Sequence, residues 1–461
     1  MLTPDFAKQE DLDRYEAFMG GLVELIVDKY DGSLKAEHGT GVNMAPYVER
    51  EWGERATELM WRVKQLADPE GVLAPGVVLN RDPGAHLRNL KTTPPIEESA
   101  TTCVECGFCE PVCPSRDLTT TPRQRIVLRR EMARQPVGSP VWQALEKEYE
   151  YEGLETCATD GSCQIACPVG IDTGALVKQL RQERHSGRAE RSALRKARRW
   201  GLIEGASRVG LRLGGPLARL TKHGAGLPGA ASTKLPATLH TGAAAVYVPS
   251  CTNRIFAGSP VESLVEVSAR AGLPVWIPDD VAGHCCGVPF GSKGYTGAEE
   301  AMRTRTVAAI ERWTDGGRLP LVIDASSCTQ GLRDAGALDA IEWVQRLLPE
   351  LDLKRRAGSV AVHPTCSARQ LGLLHRLEEI MGAMADEVVV PAAATCCGFA
   401  GDRGMLHPEL TAAATADEAA ELAGRSFDAH VCGNRTCEIG LSEATGRPYE
   451  SFIHLLDQLT S

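Results

Sequence analysis

The sequence predicts a multidomain chain of mixed class, α+β and α/β, and three observations lead there. A first block without cysteine reads as amphipathic helices. A middle block carries two cysteine clusters around a charged helical segment. A last block repeats itself, alternating short β-branched runs that end in cysteine with helical segments. The 461 residues are long enough for several hydrophobic cores without covalent staples, which excludes a disulfide-dominated miniprotein. All 16 cysteines lie at or after Cys103. The N-terminal MLTPDFAKQEDLDRYE is acidic and lacks the layout of a secretory signal, and no apolar run approaches the length of a membrane span. The expectation is a soluble, cytoplasmic chain, where clustered cysteines hold metals or do redox work. The 50 basic and 60 acidic side chains leave a formal charge of −10, which argues against nucleic-acid binding.

Cysteine usage and texture then divide the chain. Residues 1–95 hold DLDRYEAFMGGLVELIVDKY, whose Leu12, Tyr15, Met19, Leu22, Ile26 and Tyr30 share one helix face, ended by Asp31-Gly32. A turn leads to SLKAEHGTG and a second amphipathic stretch from Trp52 to Ala67, and the proline-rich KTTPPIEES marks a boundary. Residues 96–187 hold seven cysteines in two clusters around a charged helical segment from Arg123 to Tyr151. Residues 188–242 form a basic helical connector, in which ten Lys or Arg between 188 and 222 face only Glu190 and Glu204 before the glycine-rich HGAGLPGAAS. One reading of this run is a solvated helical face. The other is peripheral docking on an anionic membrane surface at its inner face, or on an acidic partner.

Residues 243–345 and 346–461 are copies of one unit: VYVPSC, AGHCCG and DASSCTQGL stand beside VAVHPTC, ATCCGFAGD and NRTCEIGL. Cys251 to Cys366 is 115 residues, Cys286 to Cys397 is 111 and Cys328 to Cys437 is 109. Such a period means two homologous units in series. The runs AAAVYVPS, PLVIDAS, SVAVHP and EVVVP predict strands whose ends carry the site.

Cys103, Cys106, Cys109 and Cys113, followed by Pro114, give CxxCxxCxxxCP. Two-residue gaps wrap a loop around one iron–sulfur cube, and the fourth cysteine ligates the other cluster; structural zinc sites instead pair separated CxxC units. The second copy, Cys157-Ala-Thr-Asp160-Gly-Ser-Cys163-Gln-Ile-Ala-Cys167-Pro168, carries Asp160 where the second cysteine belongs. The crossed pattern assigns Cys103, Cys106, Cys109 and Cys167 to one 4Fe-4S cluster, and Cys157, Cys163 and Cys113 to the other. In the second, either the Asp160 carboxylate or a solvent oxygen takes the fourth iron, or that iron is absent and the cluster is 3Fe-4S. Asp160 as a plain turn residue before Gly161 is the remaining alternative.

Each repeat contributes four further thiols: Cys251, Cys285, Cys286 and Cys328, then Cys366, Cys396, Cys397 and Cys437. Adjacent cysteines can face one cluster from neighbouring backbone positions, with Gly287 and Gly398 letting the chain turn closely. Four thiolates hold an iron–sulfur cluster or zinc, or include a redox-active pair. Cys432 aligns with Ile323 and is expected to be a buried apolar residue. His284 and His363 do not align, and both are expected to be structural histidines.

These repeats resemble the cysteine-rich CCG domains found in heterodisulfide reductase, in the iron–sulfur subunits of glycolate oxidase and anaerobic glycerol-3-phosphate dehydrogenase, and in lactate-utilisation proteins. Those are electron-transfer modules. Neither repeat keeps the family's terminal CxxC, because Gly331 and Gly440 stand in its second place. In the first block, GSLKAEHGTG with DPEGVLAPGVVLN resembles the C-terminal segment of FAD-linked oxidases of the vanillyl-alcohol-oxidase type. That resemblance implies Glu37 as a metal- or substrate-orienting carboxylate, and His38 as the base that takes the hydroxyl proton while hydride leaves for the flavin.

The whole order is that of an FAD-linked oxidase C-terminal segment, a mainly helical two-cluster ferredoxin domain, a basic connector and tandem α/β CCG repeats. It resembles the C-terminal half of FAD- and iron–sulfur-containing D-lactate dehydrogenases, with CCGFAGDRGM and HPTCSARQLG as specific phrases. The resemblance implies an FAD-binding half or subunit as partner and an external electron acceptor, a quinone, cytochrome or other carrier. It also implies that FAD reaches this chain through an N-terminal half expected before Met1. The rival expectations are a stand-alone iron–sulfur subunit for glycolate or glycerol 3-phosphate oxidation, a heterodisulfide-reductase-like thiol enzyme, and a zinc-stabilised scaffold.

Overall fold

The computed structural model describes residues 4–35, 39–218 and 228–461, and the chain forms two compact units, Met1–Ile96 and Glu97–Ser461. Within the first unit the described elements are helical. The helix Gln9–Val23 turns its Met19 and Val23 inward, then widens into a π turn over Glu24–Lys29. A π turn advances the chain more slowly around the axis than an α turn, so the apolar stripe drifts and Tyr30, expected on the buried face, is 67% exposed. The amphipathic stretch expected from Trp52 to Ala67 is the helix Glu54–Ala67, and Trp52 instead ends a preceding helix, Val48–Trp52, with Gly53 at φ 78° between the two. Asp68 then closes the second helix by accepting from the Val72 and Leu73 amides, both at 2.9 Å.

In the second unit, the segment expected to be helical from Arg123 to Tyr151 is interrupted. The helix Pro122–Arg134 opens with a capping box of Thr121 and Gln124, and a new helix, Pro140–Tyr149, starts at the Ser139 cap. Pro136 and Pro140 have no amide to donate, which is the physical reason for the break. The connector helix Gly187–Arg198 buries Ala193 and Ala197 against the helix Thr296–Trp313, while Arg188, Arg191, Arg195 and Lys196 stay exposed.

Each repeat builds a four-stranded parallel sheet. The strands are β1 (Ala245–Val248), β2 (Val275–Trp276), β3 (Leu321–Ile323), β4 (Ala337–Asp339), β5 (Ala357–Val362), β6 (Ala385–Val389), β7 (Ala429–Cys432) and β8 (Tyr449–Ser451). The orders are β2-β1-β3-β4 and β6-β5-β7-β8, the same in both copies. β1 is buried along its whole length, as an unbroken apolar run covered by helices on both faces requires. In both sheets the strand order reverses beside the first strand, between β1 and β3 and between β5 and β7. The crevice beyond the carboxyl ends of the strands at such a reversal is where parallel α/β sheets bind ligands.

Candidate metal centres

The two motifs of the middle block fold as matching loops. Glu105 and Gly107 lie in the left-handed region at φ 57° and 87°, and Thr159 and Gly161 at 49° and 75°. In each loop the amide two residues after the first cysteine points to its sulfur: Glu105 N to Cys103 Sγ, and Thr159 N to Cys157 Sγ, both 3.4 Å. Asp160 thus occupies the backbone position of Cys106. The loops cross: Cys103, Cys106, Cys109 and Cys167 line one cavity, and Cys113, Cys157, Cys163 and Asp160 line another. Each cavity thus brings together the cysteines that the crossed pattern places in one group, with Asp160 added in the second.

The thiols are held in surroundings that oppose bare ionisation. Burial pushes Cys109 up to about 11 and Cys163 up to about 12, with Asp160 adding to the latter. A thiol so placed becomes a thiolate when a cation is beside it, and a metal cluster supplies that charge. The donor set, all sulfur in the first cavity, suits an iron–sulfur cluster.

Sequence spacing missed the cations around Cys157. Arg125, 1% exposed, donates to Gly153 O at 2.7 Å and Ser115 Oγ at 2.9 Å, with Cys113 Sγ at 3.7 Å. Arg181 donates to the carbonyls of Leu154 and Cys157 and is lowered to about 10 by burial, Cys157 opposing the shift. Arg403, from the second repeat, donates to Glu155 O. Their partners lie far away in sequence, so no local signal announces them.

In the repeats the lone cysteine opens a short helix after the first strand, the Cys-Cys pair follows the second, and the last cysteine follows the third. Cys251 begins the helix Cys251–Ile255 behind a Ser250 cap, and Cys366 begins Cys366–Gln370 behind Thr365. Cys251 and Cys285 lie 3.6 Å apart, and Cys286 and Cys328 3.3 Å apart. In the second repeat Cys366 contacts Cys396, which contacts Cys397, and Cys397 contacts Cys437. Neighbouring thiols and burial raise Cys251, Cys286, Cys396 and Cys437 well above the ordinary thiol value. Such sets can hold a metal cluster or carry thiol redox chemistry.

Around the second set, Cys432 lies in the core at the end of β7, and its thiol also reaches Cys437. His363 Nδ1 pairs with Glu418 at 2.8 Å, both nearly inaccessible. Burial opposes the imidazolium, yet the Glu418 hydrogen bond and charge hold His363 up to about 10, with Cys432 and Cys397 adding to it. His284 meets the Asp280 carbonyl at 2.9 Å and packs edge-on against Trp313. The first repeat instead has the buried ion pair Arg254–Glu204 beside Cys251, with Glu204 arriving from the connector helix Trp200–Ala218.

Glu37 and His38 lie outside the described residues. Elsewhere in the first unit, Tyr47 Oη meets His86 Nε2 at 3.1 Å, and the Tyr15 ring lies 6.2 Å from the His86 ring. Among the described residues no helix is long and apolar enough to cross a membrane.

Residues 1–78 match the family of FAD linked oxidases, C-terminal domain. Residues 99–171 match the 4Fe-4S dicluster domain, and residues 245–333 and 360–442 the cysteine-rich domain. The chain is 23% identical over 401 residues to the glycolate oxidase iron-sulfur subunit of Escherichia coli (strain K12), covering 77% of this chain and 93% of that protein. It is 30% identical over 139 residues to a subunit of the anaerobic glycerol-3-phosphate dehydrogenase from the same strain, 26% of this chain and 35% of that one. It is 33% identical over 78 residues, 17% of each chain, to the D-2-hydroxyglutarate dehydrogenase of Stutzerimonas stutzeri (strain A1501). Segment by segment, the polypeptide is thus similar to the C-terminal domain of FAD linked oxidases, to a 4Fe-4S dicluster domain and, twice over, to a cysteine-rich domain.

Proposed function

We propose that this chain is the iron–sulfur electron-transfer part of a flavin-dependent D-2-hydroxyacid dehydrogenase, with D-lactate as substrate and pyruvate as product. It would carry electrons from a flavin held by a partner domain or subunit to an external quinone or cytochrome. The observation that carries the reading is the crossing of the two cysteine motifs into two cavities, in one compact unit with the repeats. Cys103, Cys106, Cys109 and Cys167 would hold one 4Fe-4S cluster, and Cys113, Cys157 and Cys163 the other. Bound clusters supply reversible one-electron storage.

The chain's own residues tune and seat those centres. Arg125, Arg181 and Arg403 place positive charge beside Cys157, which favours the more negative, reduced state of whatever Cys157 binds. Cys251, Cys285, Cys286 and Cys328, with Cys366, Cys396, Cys397 and Cys437, would hold further iron–sulfur or zinc. Glu37 would orient the substrate and His38 take its hydroxyl proton; the match of residues 1–78 to an FAD-linked oxidase segment supports this pair.

A second reading, an iron–sulfur subunit docking on a separate glycolate flavoprotein, is favoured by the 401-residue match to such a subunit. The test is anaerobic purification with iron and sulfide analysis, followed by mixing with the flavin-binding partner. D-lactate, glycolate, D-2-hydroxyglutarate and sn-glycerol 3-phosphate are then offered in turn. Bleaching of the visible iron–sulfur absorbance by D-lactate is the expected result. Bleaching by glycolate alone would establish the second reading, and a colourless zinc protein would overturn both.

A further inference from the structure

The exchange of cysteine for Asp160 leaves a carboxylate on a loop otherwise shaped like its cysteine-bearing twin. Asp160 does line the cavity of Cys113, Cys157 and Cys163, but its carboxylate also meets the second repeat. A carboxylate oxygen of Asp160 and the sulfurs of Cys366 and Cys396 all lie within 4.8 Å of one another. Among the described residues they form a compact set of one hard and two soft donors.

The contact is built from both sides. On the repeat side, Gln370, at the end of the short helix that Cys366 opens, donates its amide to the Asp160 carbonyl. It packs so closely that a β-carbon on Gly161 would collide with Gln370 Nε2. On the loop side, Ser162 donates its hydroxyl and its amide to one carboxylate oxygen, Oδ2, fixing the carboxylate. The Cys396 thiol is the carboxylate's other side-chain partner.

Gly440 stands where a fifth cysteine would be, and a β-carbon there would meet the Thr411 methyl at 2.8 Å and the Phe399 ring at 3.1 Å. A side chain at that place would have to displace Thr411 and Phe399. The Asp160 oxygen reaches the set from the opposite end, at Cys366 and Cys396.

We propose that Asp160 is a ligand of the metal centre of the second repeat, joining Cys366, Cys396, Cys397 and Cys437 as an oxygen donor from the dicluster segment. The assignment rests on the reading of the repeat cysteines as metal ligands. Five donors are one more than tetrahedral zinc takes, so the set suits an iron–sulfur centre, whose several irons divide the donors among them. A ligand supplied in this way ties the dicluster segment to the second repeat. It also leaves the Cys113, Cys157 and Cys163 centre with three protein thiolates.

The test uses the full-length chain purified anaerobically, with iron, zinc and sulfide counted and EPR spectra recorded. Cys366→Ala marks the metal and signal of the second repeat, and Cys157→Ala those of the dicluster segment. Asp160→Asn, which keeps the side-chain shape, is expected to lose the metal and signal that Cys366→Ala loses while keeping those lost in Cys157→Ala. Asp160→Cys is expected to regain the metal with a changed EPR line shape. If Asp160→Asn instead reproduces Cys157→Ala, or leaves metal and spectra unchanged, the ligand assignment is overturned while the metal reading of the repeats stands. If Cys366→Ala itself removes no metal, the reading beneath the assignment fails, and the assignment with it.

Discussion

Gly440 and Gly331 have in common that a side chain has no room to grow. A β-carbon at Gly331 would sit 3.0 Å from Val288 Cγ2 and 3.4 Å from Cys286 Cβ, so Val288 and Cys286 are packed against the very place a fifth cysteine would need. Single residues also set the pH response. Asp339 caps the helix Ala340–Leu347, accepts from the Ile341 amide at 2.9 Å and the Thr329 hydroxyl at 3.0 Å, and is pushed by burial from 3.8 up to about 6. The fold therefore prefers the protonated acid. That preference stabilises fully below pH 3.8 and is lost as pH rises through about 6, a swing on the order of 3 kcal/mol. Asp339→Asn keeps the cap without the charge. Thermal unfolding should find it more stable than the parent at pH 7 and level with it at pH 4, and equal differences at both pH values would exclude this account.

At the scale of elements, local punctuation was readable and local winding was not. Pro140 after Ser139, and Asp68 after Ala67, are signals written in adjacent residues. The π turns at Glu24–Lys29 and Glu150–Glu155 follow from how each segment settles on its neighbours, and no pattern of three and four announces them. The connector helix Trp200–Ala218 is fastened to the first repeat by Glu204, paired with Arg254 in a site 1–2% exposed. Arg254 also donates to the carbonyls of Pro249 and His284, which flank the Cys251 and Cys285 positions. Removing one partner strands a buried charge, so Glu204→Ala is expected to cost about 3–5 kcal/mol. Denaturant unfolding of the full chain would register that loss, and a double variant with Arg254→Met should recover most of it. A loss under about 1 kcal/mol would mean that water replaces the pair.

On the scale of the whole molecule, the apolar surface is unevenly spread. In the first unit Leu59, Val63 and Leu66 lie along one helix at 60%, 59% and 86% exposure, and Trp52, Val72 and Leu73 are exposed as well. Their spacing puts the three helical residues on one stripe, which reads as a surface made to be covered. Under the proposed function the flavin-binding partner covers it. Burying one leucine is worth about 1.5–3 kcal/mol, so Leu66→Asp is expected to weaken partner binding roughly 10- to 100-fold. Titration calorimetry against that partner would measure it, with iron content unchanged; unaltered affinity would place the interface elsewhere.

The amino-acid order alone determined the cysteine groupings and the duplication. A cluster-binding loop takes three of its ligands from a few consecutive residues, and a repeated unit repeats its strand ends. It also determined the α/β character of the repeats, because unbroken apolar runs between helical segments pack as parallel strands. Only the tertiary structure decided which cations stand beside Cys157, since Arg125, Arg181 and Arg403 come from other segments. The same holds for Asp160. Its sequence marks a missing cysteine, but Cys366 and Cys396 come to it across more than 200 residues of intervening chain, through the packing of one α/β repeat on the dicluster segment.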